Sequence, residues 1–227
     1  FYDKGDLSKE DKRIFIDYID RIEMSYVLNS STINIAPFVN EEYYYEAIVY
    51  LKVKLKQKDK VDKISKIINN NIPNPLVIIY EFDKEYSIST AIKRLSKTEK
   101  NKTVVEESNK TNWLNIISLS ENDKKFIDSI SLSKIPYTNL FDFYKTINDK
   151  IYIFNMSAKI GEYEDISDKK TLEESKKISE HIEKLEVELK KTLSKLKRES
   201  QFNKKMELNV KATEINKEIE NLKGKLK

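Results

Sequence analysis

Residues 43–56 alternate between two kinds of side chain. Tyr43, Tyr45, Ala47, Val49, Leu51, Val53 and Leu55 share one parity, and Glu46, Ile48, Tyr50, Lys52, Lys54 and Lys56 share the other. A period of two puts alternate side chains on opposite faces, so the pattern predicts a strand with one face buried. The second face starts mixed and ends as a row of lysines. Asp59 is placed to cap a helix in which Val61, Ile64 and Ile68 recur at helical spacing. Pro73 and Pro75 end that helix, because proline disfavours helical backbone in the residue before it. Leu76 to Phe82 is a nearly unbroken apolar run and predicts a strand covered on both faces. Asp83-Lys84 reads as a tight turn into a further strand through Tyr86, Ile88 and Ile92. Strand, helix, strand, hairpin, strand is the scaffold to which the other segments must attach.

The flanking segments read mostly as helix. Ser8 caps a helix predicted to run to about Val27, with Ile14, Phe15, Tyr18, Ile22 and Tyr26 as its apolar stripe. Thr32 to Ile35 is expected as a short edge strand, and Thr103 to Glu106 as another. Helices are expected over residues 121–132, with Phe126, Ile127 and Ile130 inward, and over residues 139–149. Ile151 to Met156 would extend the second helix or add a strand. The polar segment 161–170 is the expected boundary between an α/β domain over 1–165 and a helical extension over 170–227. In that extension Ile178, Ile182, Leu185 and Leu189 step by four, three and four, and Ile215, Ile219, Leu222 and Leu226 repeat the steps. These are coiled-coil seams. The phase slips between Thr192 and Leu208, which fits one long helix with a stutter or an antiparallel hairpin. A single helix of about 55 residues would reach ~80 Å and would need a partner for its seam. The predicted fold class is therefore α+β: a small mixed sheet flanked by helices, with a long helical hairpin or coiled coil at its C-terminal end.

Composition narrows the chemistry. The chain has no cysteine, so a disulfide framework and a thiolate metal site are excluded, and a cytoplasmic location is expected. No apolar run approaches the roughly 18–20 residues that span a bilayer, and no membrane association is expected. The chain opens at Phe1 without methionine, which reads as a start inside a longer sequence. The 42 basic and 38 acidic residues leave a formal charge of +4, too little to argue nucleic-acid binding alone. The arginines are Arg13, Arg21, Arg94 and Arg198, whereas bidentate reading of phosphate or guanine favours arginine over lysine.

Catalytic motifs are sparse. His181 is the single histidine and lies in the coil, and Gly5, Gly161 and Gly224 stand alone, so no phosphate loop and no cofactor site is read. The enzymatic alternative is a divergent metal-dependent nuclease, with Glu46, Glu81 and Asp83 converging on one sheet end. No complete acid and Glu-x-Lys triad is present; Glu188-Leu189-Lys190 matches only inside the coil. For nucleic-acid binding, Lys52, Lys54, Lys56, Lys93 and Arg94 would form one basic face beside Trp113, if the first and hairpin strands are neighbours. Ile178, Ile182, Leu185, Leu189, Phe202, Met206, Ile215, Ile219 and Leu222 are the expected partner-binding residues of the coil.

Several segments in order resemble an uncharacterised bacterial family, a domain of unknown function encoded beside helicase and DNA methyltransferase genes in restriction or phage-defence loci. They are Phe1-Tyr2, Thr32-Ile33-Asn34-Ile35, the strand from Glu41 to Leu55, Ile72-Pro73-Asn74-Pro75 and Ile92-Lys93-Arg94. Val104-Val105-Glu106-Glu107 with Trp113, and Gln201-Phe202-Asn203-Lys204-Lys205-Met206-Glu207-Leu208-Asn209, complete the set. The resemblance implies a non-enzymatic accessory or assembly subunit that binds a helicase or methyltransferase and, through the basic face, DNA. It implies no catalytic residues. A third reading is a homodimeric structural protein that pairs through its own coil.

Overall fold

A computed structural model describes residues 7–99, 102–163 and 169–226. It divides into two compact units, Phe1–Asn155 and Met156–Lys227. The Phe1-Tyr2 segment lies outside the described residues, as do residues 164–168 of the expected boundary segment.

In the first unit, α1 (Lys9–Tyr18) leads directly into β1 (Ile19–Asn29), followed by the single turn α2 (Ser30–Ile33). Two short strands, β2 (Phe38–Val39) and β3 (Tyr44–Tyr45), pair with each other. Then come β4 (Ala47–Leu55), α3 (Val61–Asn71), β5 (Leu76–Phe82), β6 (Glu85–Leu95), β7 (Thr103–Lys110) and β8 (Leu114–Asn115). Helix α4 (Glu121–Ser129) and the long α5 (Leu140–Ile160) complete the unit, with the division between units falling inside α5.

The main sheet runs β1-β4-β5-β6-β7, with β8 on the end of β6. Only β4 and β5 are parallel, which is why a helix must connect them. The alternation of β4 is expressed as the sequence predicts. Leu51, Val53 and Leu55 pack with Leu76, Ile78 and Tyr80 of β5 under Ile14, Phe15, Val61, Ile64 and Ile68 of the two covering helices. The sharp turn at Asp83-Lys84 also forms, with Asp83 in the left-handed region at φ 53°. Helix α3 starts at Val61 after Lys60, without the side-chain cap expected from Asp59.

The first predicted helix is half strand. Ser8 caps it, its side chain accepting from Asp11 N, but it ends at Tyr18 and β1 pairs antiparallel with β4. Tyr18, Ile22 and Tyr26 are spaced by four, which satisfies a helical stripe and also keeps one parity of a strand. The unpaired outer side of β4 decides between the two, since β1 supplies its hydrogen bonds. Thr32–Ile35 is likewise not a strand. Asn29 and Thr32 form a reciprocal cap around α2, and Asn34 adopts a left-handed conformation at φ 52°. Helix α4 carries the reciprocal Ser120–Asp123 cap and buries Phe126, but Ile127 is exposed rather than inward.

The other face of the sheet is covered by α5. Tyr144 is fully buried; its hydroxyl donates to Leu76 O at 2.6 Å and accepts from Ala91 N at 2.8 Å. Asn148 accepts from the Thr90 hydroxyl at 2.9 Å. These bonds satisfy buried groups that the sheet ladder leaves over, at roughly 1–3 kcal/mol for each group that would otherwise stay unpaired. Phe141 closes an aromatic cluster with Phe38, Tyr43 and Tyr45, at ring separations of 5.1, 4.6 and 5.0 Å.

Candidate functional site

The second unit settles the choice between long helix and hairpin. Helices α6 (Lys169–Arg198) and α7 (Phe202–Gly224) pack as an antiparallel hairpin. Glu199 makes the turn: its carboxylate accepts from the backbone N–H groups of Ser200 and Gln201, each at 2.9 Å. Across the pair, Lys211 reaches Glu188 at 2.7 Å and His181 lies 3.7 Å from Glu218, both in one register. The seam is filled from within. Ile182 and Leu185 bury against Ile215 and Ile219, with Ile178, Leu189, Leu222 and Leu226 packed around them. These residues were expected to bind a partner; they are the hairpin's own core, because a second helix of the same chain is the nearest occupant for a narrow apolar stripe.

Phe202 and Met206 behave differently. Phe202 is 74% exposed, Met206 52% and Val210 53%. At about 100° per residue, these three residues fall on the side of α7 opposite Ala212, Ile215 and Ile219. Helix α7 therefore has two apolar faces, and only one is covered. The exposed row of phenylalanine, methionine and valine takes no part in the buried seam of the hairpin. A second uncovered apolar patch, Ile22, Met24 and Tyr26, lies on the edge strand β1 of the first unit. Register irregularities after Ile19 and after Met24 interrupt that edge, a usual guard against indiscriminate strand pairing.

The first unit also has a cleft of about 690 Å³ between α3 and the β6–β7 edge. Asp62, Ser65, Lys66 and Asn69 line one wall; Ser89, Ala91, Ser108 and Lys110 line the other. Lys110 bridges to Asp62 across it at 2.5 Å.

The proposed basic face does not assemble as one surface. Strand β5 separates β4 from β6, so Lys93 and Arg94 are not beside Lys52, Lys54 and Lys56. Lys93 is only 2% exposed and points its ammonium at Ile72 O and Asn74 O, at 2.6 and 2.9 Å. It pins the Pro73-Asn74-Pro75 connection. Burial lowers its pKa from 10.5 to about 7. Arg94 is paired with Glu106 at 3.1 Å. Trp113 packs against the main core, with the Lys58 ammonium 4.8 Å from its ring centre. Lys52, Lys54 and Lys56 do share a face, but Lys52 pairs with Glu81 at 2.5 Å and Lys54 with Asp20 at 3.7 Å. Lys56 donates to Ile16 O at 2.8 Å. The hydrogen bond to Glu81 holds Lys52 above the usual lysine value. Phosphate binding would have to displace these partners, so replacing Lys52 and Lys54 together with glutamate is expected to change DNA retention in a mobility-shift assay by less than about twofold. A loss of ten-fold or more would restore the basic strand as a DNA surface.

The acidic trio does not converge either. β4 and β5 are parallel with Lys54 opposite Glu81. Glu46 precedes Lys54 by eight residues, on the order of 26 Å along the strand. It accepts from the Tyr44 hydroxyl at one end of the sheet, while Glu81 and Asp83 sit at the other. Glu46 and Glu81 are each engaged by a neighbouring side chain, Tyr44 and Lys52.

A family model described as a domain of unknown function, DUF4391, matches residues 1–219. The chain belongs to the DUF4391 family. No curated protein and no solved structure matches it. In this DUF4391 chain, no helix among the described residues is long and apolar enough to cross a membrane. The features that the sequence did not single out are the outer stripe's separation from the seam and the α3–β7 cleft. The first has a readable signal, since Phe202, Met206 and Val210 keep a spacing of four while falling out of phase with Ile215 and Ile219. The second depends on which polar residues of α3 face β6 and β7, and no periodicity reports that.

Proposed function

We propose that this chain is a non-enzymatic accessory or assembly subunit of a bacterial DNA-targeting restriction or anti-phage complex, docking on a helicase or DNA methyltransferase through the outer face of its C-terminal hairpin. The observation that carries this reading is the uncovered Phe202-Met206-Val210 row on a helix whose other face already has its partner. Such a row costs solubility unless it is covered in use. The resemblance of the ordered segments to a family encoded in defence loci supports the kind of partner. The apolar patch on β1 supports a role in assembly through a second surface, and DNA contact is secondary because the basic strand is internally neutralised.

The test is phage plating on a host in which the native gene is replaced by Phe202→Asp with Met206→Asp. Protection is expected to fall at least tenfold, with helicity by circular dichroism unchanged because neither side chain belongs to the seam. Full protection by this variant would overturn the docking surface. Glu81→Ala with Asp83→Ala is expected to protect like the wild type; loss of protection together with loss of Mg²⁺-dependent DNA cleavage would instead establish the nuclease alternative.

A further inference from the structure

The α3–β7 cleft holds a buried polar group that folding alone leaves unused. Ser89 is 3% exposed and lines the cleft from β6. Facing it from α3, Asn69 is 5% exposed; its Nδ2 donates to Ser65 O at 3.0 Å, which fixes the amide orientation and leaves Oδ1 without a partner. Buried polar side chains are nearly always satisfied, at a cost of roughly 1–3 kcal/mol when they are not. The unsatisfied Asn69 Oδ1 in the wall of this cleft marks a place where a bound molecule supplies the missing group.

The lining restricts what that molecule is. Ser65, Asn69, Ser89 and Ser108 bring hydroxyl and amide groups to both walls beside the apolar Ala91, Val104 and Val105, and the lining contains no aromatic ring. A nucleobase would find nothing to stack on. The charged lining groups are Lys66, Lys110 and Asp62. Lys110 is neutralised by Asp62, while Lys66 makes no ion pair among the described residues. That leaves one uncompensated positive charge on a cleft of mixed polar and apolar lining, whose volume lies within the usual range of small-molecule sites, about 300–1,000 Å³.

We infer that the cleft binds a sugar-phosphate unit, with the sugar hydroxyls meeting Ser89 and the Ser65–Asn69 wall and the phosphate meeting Lys66. The same chemistry arises from a free pentose phosphate or from the backbone of a nucleic-acid strand, and two probes separate these sources. Full-length protein is titrated calorimetrically with ribose 5-phosphate and, separately, with a short single-stranded oligodeoxynucleotide, with inorganic phosphate and ribose as fragments. At least one of the two probes is expected to bind, more tightly than either fragment. Ser89→Val and Lys66→Glu should each weaken it tenfold or more, and Lys124→Glu, on α4 outside the cleft, should leave it unchanged. Lys66 is a surface residue, so its variant remains informative if Ser89→Val fails to fold. No binding of either probe up to ~10 mM, a dissociation constant too weak to be a site, overturns the inference. So does equal loss of binding with Lys124→Glu, which would reduce it to counterion attraction.

Discussion

Ile182→Asp is expected to open the C-terminal hairpin. Ile182 is almost fully buried against Leu185, Ile215 and Ile219, so the carboxylate would have neither water nor a cation. Truncating such an isoleucine to alanine costs about 2–5 kcal/mol, and an unpaired buried charge costs more. A pair of helices with one narrow seam has little stability in reserve, because isolated helices are marginal without tertiary packing. Circular dichroism should show loss of much of the helical signal contributed by residues 169–224, and limited proteolysis should cut within that range. The sheet-containing unit has a separate core and should keep its own unfolding transition. Retention of full helicity and protease resistance would mean that the seam is closed by something other than α7.

The second large effect is on pH dependence. Lys93 titrates near 7 in the folded chain, against 10.5 in an exposed lysine, because its ammonium is buried. Between those two values the unfolded chain binds more protons than the folded one, so stability rises with pH across the window. Below about pH 7 the full penalty applies. Over the whole window the gain is about 3–5 kcal/mol, at 1.36 kcal/mol per pKa unit with some offset from the two carbonyls that accept from Nζ. Tyrosines set the upper limit. Burial pushes Tyr45, Tyr80 and Tyr144 up from 10.0, and Tyr50 up to about 12. Above pH 10 the unfolded chain loses those protons first, and stability falls. Denaturant midpoints should therefore climb from pH 7 to a maximum near pH 10. Lys93→Met keeps the packing of the stem and removes the titration, so its profile should be flat over pH 7–10. An unchanged slope in that variant would assign the effect elsewhere.

Legibility in the sequence followed the physics of each signal. Strand β4 was readable because over Leu51 to Leu55 one parity lies on the core and the other carries Lys52 and Lys54, so period two survives there, although Ile48 at its start is buried on the opposite parity. The β5 run was readable because both of its faces are covered. The β1 strand was misread because a spacing of four is shared by helix and strand, and the deciding fact, an unsatisfied edge of β4, is tertiary. The hairpin seam was visible residue by residue, but its occupant was not, since a heptad pattern is silent on whether the partner helix belongs to the same chain. The basic face failed for a related reason. Its members were grouped by sequence proximity, whereas β5 intervenes in the sheet and Lys93 turns inward to the Pro73-Asn74-Pro75 connection. Phe202 and Met206 were named with the seam, and the structure separates them from it by half a helix turn.

We propose that the outer face of α7, and not its seam, recruits a partner. The most direct measurement is affinity purification from the native host of the tagged wild-type chain and of Phe202→Asp with Met206→Asp, with mass spectrometry of both eluates. A helicase or DNA methyltransferase in stoichiometric amount with the wild type, and depleted at least tenfold with the variant, is the predicted result. Equal recovery of that partner by both proteins, or recovery of the wild type with no partner, would contradict it.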